Sequence, residues 1–84
     1  MLYTYTAVIT RGTGKCFARV PDIPGCATTG KNVEDAVVQI TDALRRCLKV
    51  LEARRVPIAP ATPQQDTMHS TSDILVSIGV DTFT

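Results

Sequence analysis

At 84 residues the chain makes one domain, and a globule of that size buries only roughly 63% of the surface its unfolded chain exposes, a marginal monomer that self-association would help. An apolar fraction of 44% against 20% charged excludes disorder, while 5% aromatic and no Trp leaves few large anchors for base stacking or interfaces. Nine Lys and Arg against eight Asp and Glu leave a formal +1, too weak a field to gather phosphate backbones, so nucleic acid is not the expected partner.

Residues 2–30 read as strands. Leu2 to Thr10 is rich in Tyr, Thr, Val and Ile, and Tyr3, Tyr5, Ala7 and Ile9 share one face at period two. Gly12 and Gly14 supply the positive φ angles of a turn, and Cys16, Ala18 and Val20 then alternate with Lys15, Phe17 and Arg19, completing an antiparallel hairpin. Pro21 and Pro24 remove two backbone donors, so PDIPG is an irregular segment before a short third strand around Cys26 to Thr28, with Gly30 closing a loop.

A helix is predicted over residues 32–55. Asn32 is a side-chain acceptor at its start and Asp35, three residues on, can return a bond in the manner of a capping box. Val33, Ala36, Val37, Ile40, Ala43, Leu44, Cys47, Leu48 and Leu51 recur at three- and four-residue steps and form the core face. Asp42 with Arg46 is a solvated i, i+4 pair. At 1.5 Å per residue the helix is roughly 34 Å long, about the width of the whole globule, so its last turns are candidates for contact with another chain.

Pro57, Pro60 and Pro63 end the helix and open a polar, proline-rich linker over residues 56–73. A final strand follows over 74–83, in which Ile74, Val76, Ile78 and Val80 form an apolar face that must join a sheet, of this subunit or of a neighbour. Together these features suggest a homodimer or tetramer with Ile74, Val76, Ile78 and Val80 as the oligomerisation residues.

No constellation for catalysis stands out. Cys16, Cys26 and Cys47 are odd in number and form no C-x-x-C pair, and with the single His69 they fit neither a disulfide framework nor a zinc site. His69 sits in the polar linker without a neighbouring acid and reads as solvated. The first strand carries no carboxylate, and Asp22, Asp73 and Asp81 are scattered, so two-metal chemistry is not expected, nor is any metal or cofactor. The glycines match no phosphate loop or dinucleotide fingerprint. MLYTYTAVITRG has neither the charged lead nor the apolar run of a signal peptide, and no run approaches a membrane span, so a cytoplasmic protein is expected.

The segment VPDIPGCATTG leading into NVEDAVVQITDAL carries the strongest pattern. Its residues allow two readings: a rigid connector in which Asp22 braces nearby amides, or a preformed surface for a partner. With Tyr5 to Ile9, Phe17 to Val20, the run Pro21, Asp22, Ile23, Pro24, Gly25, Cys26, then Thr28, Gly30, Glu34, Asp35, Ala36, Ala43 and Leu44, the chain resembles the HicB family of antitoxins over roughly residues 3–60. The resemblance implies an α+β fold, antiparallel β-β-β-α-β, a partial ribonuclease-H-like fold without nuclease carboxylates, one long helix packed on a small sheet. It also implies a non-enzymatic function: binding and steric inhibition of a small HicA-type ribonuclease toxin that is basic and has a catalytic histidine.

The contact would be made by Asp22, Ile23, Pro24, Gly25 and Cys26, with Asp22 near the toxin's histidine. Many members add a C-terminal DNA-binding element. Here only Thr84 follows Phe83, so no autonomous DNA binding is expected. Lys31, where the family usually has an acid, and the near-neutral charge are further departures, and both bear on affinity for a cationic toxin. The alternative from another class is an orphan homo-oligomeric domain with another ligand or weak nuclease activity.

Overall fold

In the computed structural model, which describes residues 2–64 and 72–82, the alternating N-terminal segment forms β1 (Leu2–Arg11) and turns Tyr5, Ala7 and Ile9 into the core. His69 and Phe83 lie outside the described residues. β2 (Cys16–Arg19) returns antiparallel, with Val8 opposite Arg19 and Arg11 opposite Cys16. In the turn the Gly12 N–H donates to the Lys15 carbonyl at 2.8 Å, and Gly14 takes a φ of 76°. Of the two turn glycines, therefore, only Gly14 uses the left-handed region.

β3 (Ala27–Gly30) pairs with β2 from Cys16↔Gly30 to Arg19↔Ala27, so Gly30 ends a strand where a loop residue was expected. The position explains the residue: a Cβ on Gly30 would stand 2.4 Å from the Ala36 nitrogen and 2.6 Å from its Cα, because the helix backbone crosses directly over it. β4 (Ile74–Asp81) pairs antiparallel with β1 of the same chain from Leu2↔Asp81 to Ile9↔Ile74, giving the order β3-β2-β1-β4.

The helix, α1 (Val33–Ala53), covers one face of this sheet. Asn32 Oδ1 accepts from the Asp35 N–H at 2.8 Å as the sequence predicts, but Asp35 returns its bond to the Lys31 N–H at 2.8 Å, one residue before the cap. Ala36, Ile40, Leu44 and Leu48 lie fully buried along the central stripe, flanked by the half-buried Val33, Val37, Ala43, Cys47 and Leu51. Asp42 bonds Arg46 at 3.3 Å on the exposed side, a pair worth a few tenths of a kcal/mol.

From β4, Ile78 and Val80 enter the same core, while Ile74 and Val76 are half-buried at its margin. Two positions escape the period-two reading, Thr6 and Val8, both buried on the face away from α1. Val8 is fully buried although it faces away from α1, in register with Arg19 and Leu75 on the two flanking strands.

Candidate functional site

The PDIPG segment is two consecutive β-turns. The Ile23 N–H donates to Val20 at 3.1 Å with Pro21 in second position, and the Cys26 N–H donates to Ile23 at 3.1 Å around Pro24 and Gly25. Gly25 has a φ of 80°, and Pro followed by a positive-φ Gly is what a type II turn requires. The Val20 N–H closes the base on the Cys26 carbonyl at 3.0 Å. The donors of Val20, Ile23 and Cys26 are thus all used within the loop, which holds its shape for that reason.

Ile23 and Cys26 point into the core, Pro24 and Gly25 stand exposed, and Asp22 is half-buried. Asp22 has both carboxylate oxygens engaged: Oδ2 accepts from the Thr62 N–H at 2.8 Å and Oδ1 from the Thr62 hydroxyl at 2.5 Å. The Tyr5 hydroxyl donates to the Ala59 carbonyl, and Ile58 packs on the core. The first part of the proline-rich segment is therefore a strap docked across the loop.

That strap is aimed by the helix terminus. The Val56 N–H bonds the Leu51 carbonyl at 2.9 Å and the Arg55 N–H bonds Glu52 at 3.1 Å, a Schellman motif with Arg55 at φ 56° where glycine is usual. It folds Val56 back over Leu51. Two hollows result on either side of Pro24. One, of about 320 Å³, is lined by Ile23, Pro24, Arg46, Cys47, Val50 and Leu51. The other, of about 390 Å³, lies among Asp22, Leu51, Val56, Pro57 and Ala59. Val50 is 48% exposed and Val56 43%, so the loop tip stands within a mainly apolar, accessible surface.

Sequence reasoning found the loop and missed Val50 and Val56. Val50 lies outside the core stripe next to Lys49, and an apolar residue at such a position is the signal that marks it. Chemically the arrangement offers shape and apolar area. Among the described residues, no group of three or more His, Cys, Asp or Glu is placed to hold a metal ion.

Around this surface the titrating groups act as ties. Hydrogen bonds from the hydroxyls of Thr82 and Tyr3 hold the Glu52 carboxyl below its ordinary range, joining the helix end to both strands at the Leu2–Asp81 end of the β1–β4 ladder. Tyr3 is raised by its bond to Glu52, and Tyr5 by burial and then by Asp22. Burial, with the neighbouring Cys47 adding to it, pushes the Cys26 thiol from 9.0 up to about 12.

For Cys26, Tyr5 and Tyr3 the unfolded chain gives up its proton first, so their stabilisation is complete below pH 9; that of Cys26 is lost between pH 9 and about 12, and that of the tyrosines as pH rises above 10.0 through their raised folded values. Glu52 has the opposite sign: its contribution is present above 4.5 and is lost as pH falls through its lowered folded value. Urea unfolding across pH should give a plateau from about pH 5 to 9 with both flanks falling. A stability that rises between pH 9 and 11 would contradict this assignment.

Among the described residues no helix is long and apolar enough to cross a membrane. No protein-family model matches the chain. Among solved structures, a toxin-antitoxin complex from Streptococcus pneumoniae superposes with a TM-score of 0.85 at 17% identity, covering 98% of this chain and 71% of that one. The N-terminal domain of the Burkholderia pseudomallei antitoxin HicB gives 0.77 at 16% identity over 93% and 98%. A HicA3 and HicB3 toxin-antitoxin complex gives 0.71 at 18% identity over 89% and 94%. At these identities the likeness establishes the fold, one helix on a four-stranded antiparallel sheet. In sequence, the UPF0150 protein Ta0767 of Thermoplasma acidophilum is 31% identical over 67 residues, 79% of this chain and 97% of that protein. By that match the chain belongs to the UPF0150 family, the family of HicB-like antitoxins.

Proposed function

We propose that the chain is a cytoplasmic antitoxin that binds a small HicA-type ribonuclease toxin and blocks its active site sterically, without catalysis. The observation that carries this reading is the self-bonded double turn Val20–Cys26, presenting Pro24 and Gly25 amid exposed Val50 and Val56. A surface already fixed before binding loses little conformational entropy on association. Asp22, Ile23, Pro24, Gly25 and Cys26 form the docking loop in this reading, and Asp22 serves it by bracing. The test is co-expression with a HicA-type toxin, followed by co-purification and an RNA-cleavage assay. Expected is a stable complex in which an equimolar amount of this chain suppresses cleavage; no complex and undiminished cleavage would refute the reading.

Asp22→Ala should lower stability by about 2 kcal/mol, since hydrogen bonds to a charged acceptor are worth about 1.5–3 kcal/mol. Thr62→Ala should reproduce part of that loss, and toxin inhibition should fall only in proportion to unfolding. An Asp22→Ala protein that melts like the wild type yet fails to inhibit would place the carboxylate in the interface instead.

We also propose self-association, as a dimer or tetramer, through β4. Its outer edge meets no strand among the described residues, and a run as apolar as Ile74–Asp81 left at an edge is a template for pairing. With Ile78 and Val80 buried, such pairing uses the backbone edge together with the half-buried Ile74 and Val76. Light scattering at micromolar concentration decides between this and a 9.1 kDa monomer.

A further inference from the structure

The sulfur chemistry beside the groove has no part in the docking reading. Cys26 ends the type II turn and lies in the buried core, while Cys47 on α1 packs against that same core cluster and shares the wall of one hollow with Ile23 and Pro24, the residues just before Cys26 in the turn. Cys26 is buried, whereas Cys47 is partly exposed and lines the hollow beside Pro24. Cys16 is a free, buried thiol as well, but it sits at the other end of the β2–β3 ladder, opposite Gly30, while Cys26 adjoins the Ala27↔Arg19 end. One accessible thiol thus has one thiol neighbour, and the third stands apart.

We propose that Cys26 and Cys47 form a dithiol that a two-electron oxidant of the peroxide class closes into an intramolecular disulfide. In the first step the Cys47 sulfur attacks the peroxide O–O bond. An S–O bond forms, the O–O bond breaks, and one water leaves, with Cys47 now a sulfenic acid. In the second step the Cys26 sulfur attacks that sulfur. The S–S bond forms, the S–O bond breaks, and the hydroxyl leaves with the Cys26 proton as a second water. Two thiols have lost two electrons and two protons, and one peroxide has become two waters.

The geometry sets the order of events. Cys47 meets the oxidant because it is partly exposed, and Cys26 resolves the sulfenic acid because it lies in the core cluster on which Cys47 packs. Burial keeps Cys26 protonated at neutral pH, so closure should accelerate as pH rises. The bond would tie the turn to the helix and close a loop of roughly 20 residues, constraining the unfolded chain. This inference stands independently of the docking reading, although closure also withdraws the Cys47 sulfur from the wall of that surface.

The test uses the full chain, reduced, desalted and treated with hydrogen peroxide. Intact mass should fall by two hydrogens. Non-reducing tryptic digestion should release the peptide Val20–Lys31 linked to Cys47–Lys49, with Cys16–Arg19 free. The melting temperature should rise by about 10 °C and return on addition of dithiothreitol. Cys47→Ala should lose neither hydrogens nor respond in melting, while Cys16→Ala should behave as the parent chain. A bond through Cys16, a Cys47–Cys47 bond between two chains, a sulfinic acid at Cys47 with Cys26 still free, or a lowered melting temperature would each overturn the proposal.

Discussion

Gly30→Ala should cost about 3 kcal/mol or more, lowering the melting temperature of a domain this small by roughly 12–24 °C. The added methyl would meet the Ala36 nitrogen at 2.4 Å, the Ala36 Cα at 2.6 Å and the Asp35 carbonyl carbon at 2.9 Å. All three are backbone atoms in the first turn of α1, so no side chain can swing aside; the helix start must lift off the sheet. Lifting it also disturbs the Asn32–Asp35 and Asp35–Lys31 bonds that cap that turn. Against a total stability of typically 5–15 kcal/mol, such a loss takes a large share. Thermal denaturation followed by circular dichroism measures it. Within a degree or two of wild type, the result would show that the helix rides higher than described.

Val50→Lys should weaken toxin inhibition by about 100-fold while moving the melting temperature by only a few degrees. In the free chain Val50 is 48% exposed, so a lysine there keeps its ammonium in water, and a cation near a helix C-terminus suits the macrodipole. In a complex the same charge is pressed into an apolar contact beside Arg46. Leaving it unpaired costs several kcal/mol, and 2.7 kcal/mol already corresponds to about 100-fold. Val38→Lys is the control, 65% exposed and about 18 Å away along the helix axis. A normally folded Val50→Lys that inhibits fully would remove the groove from the docking surface.

How far the chain could be read from its letters depends on the range of the interactions involved. The helix start at Asn32, the stripe Ala36, Ile40, Leu44 and Leu48, and the alternation Cys16, Ala18, Val20 are local patterns, and the fold reproduces them. The P-D-I-P-G-C run named the family for the same reason. What stayed hidden is non-local. Asp22 meets Thr62 across 40 residues, and nothing in either neighbourhood announces the pair. Gly30 looks like a loop residue until the helix is laid over it. Val8 and Thr6 are buried on the face away from α1, which the alternation of a single strand does not display. Arg55 occupies a left-handed position that its residue type does not advertise, so the fold-back of Val56, and with it half of the apolar surface, was illegible.

The pairing of Leu2 with Asp81 has a practical consequence for anyone handling the protein. The start of β1 and the end of β4 lie at one pole, and Tyr3 meets Glu52 there, at the end of α1 that also carries Val50, Leu51 and Val56. The Thr13–Gly14 hairpin tip occupies the opposite pole, beside Lys31 and the helix start. A fluorophore attached at Leu2 or at Asp81 therefore stands at the same pole as the loop and its hollows. A label inserted at Thr13 keeps that pole clear, because the hairpin tip lies at the far end of the sheet from Leu2 and Asp81, and an insertion there leaves every strand in its present register.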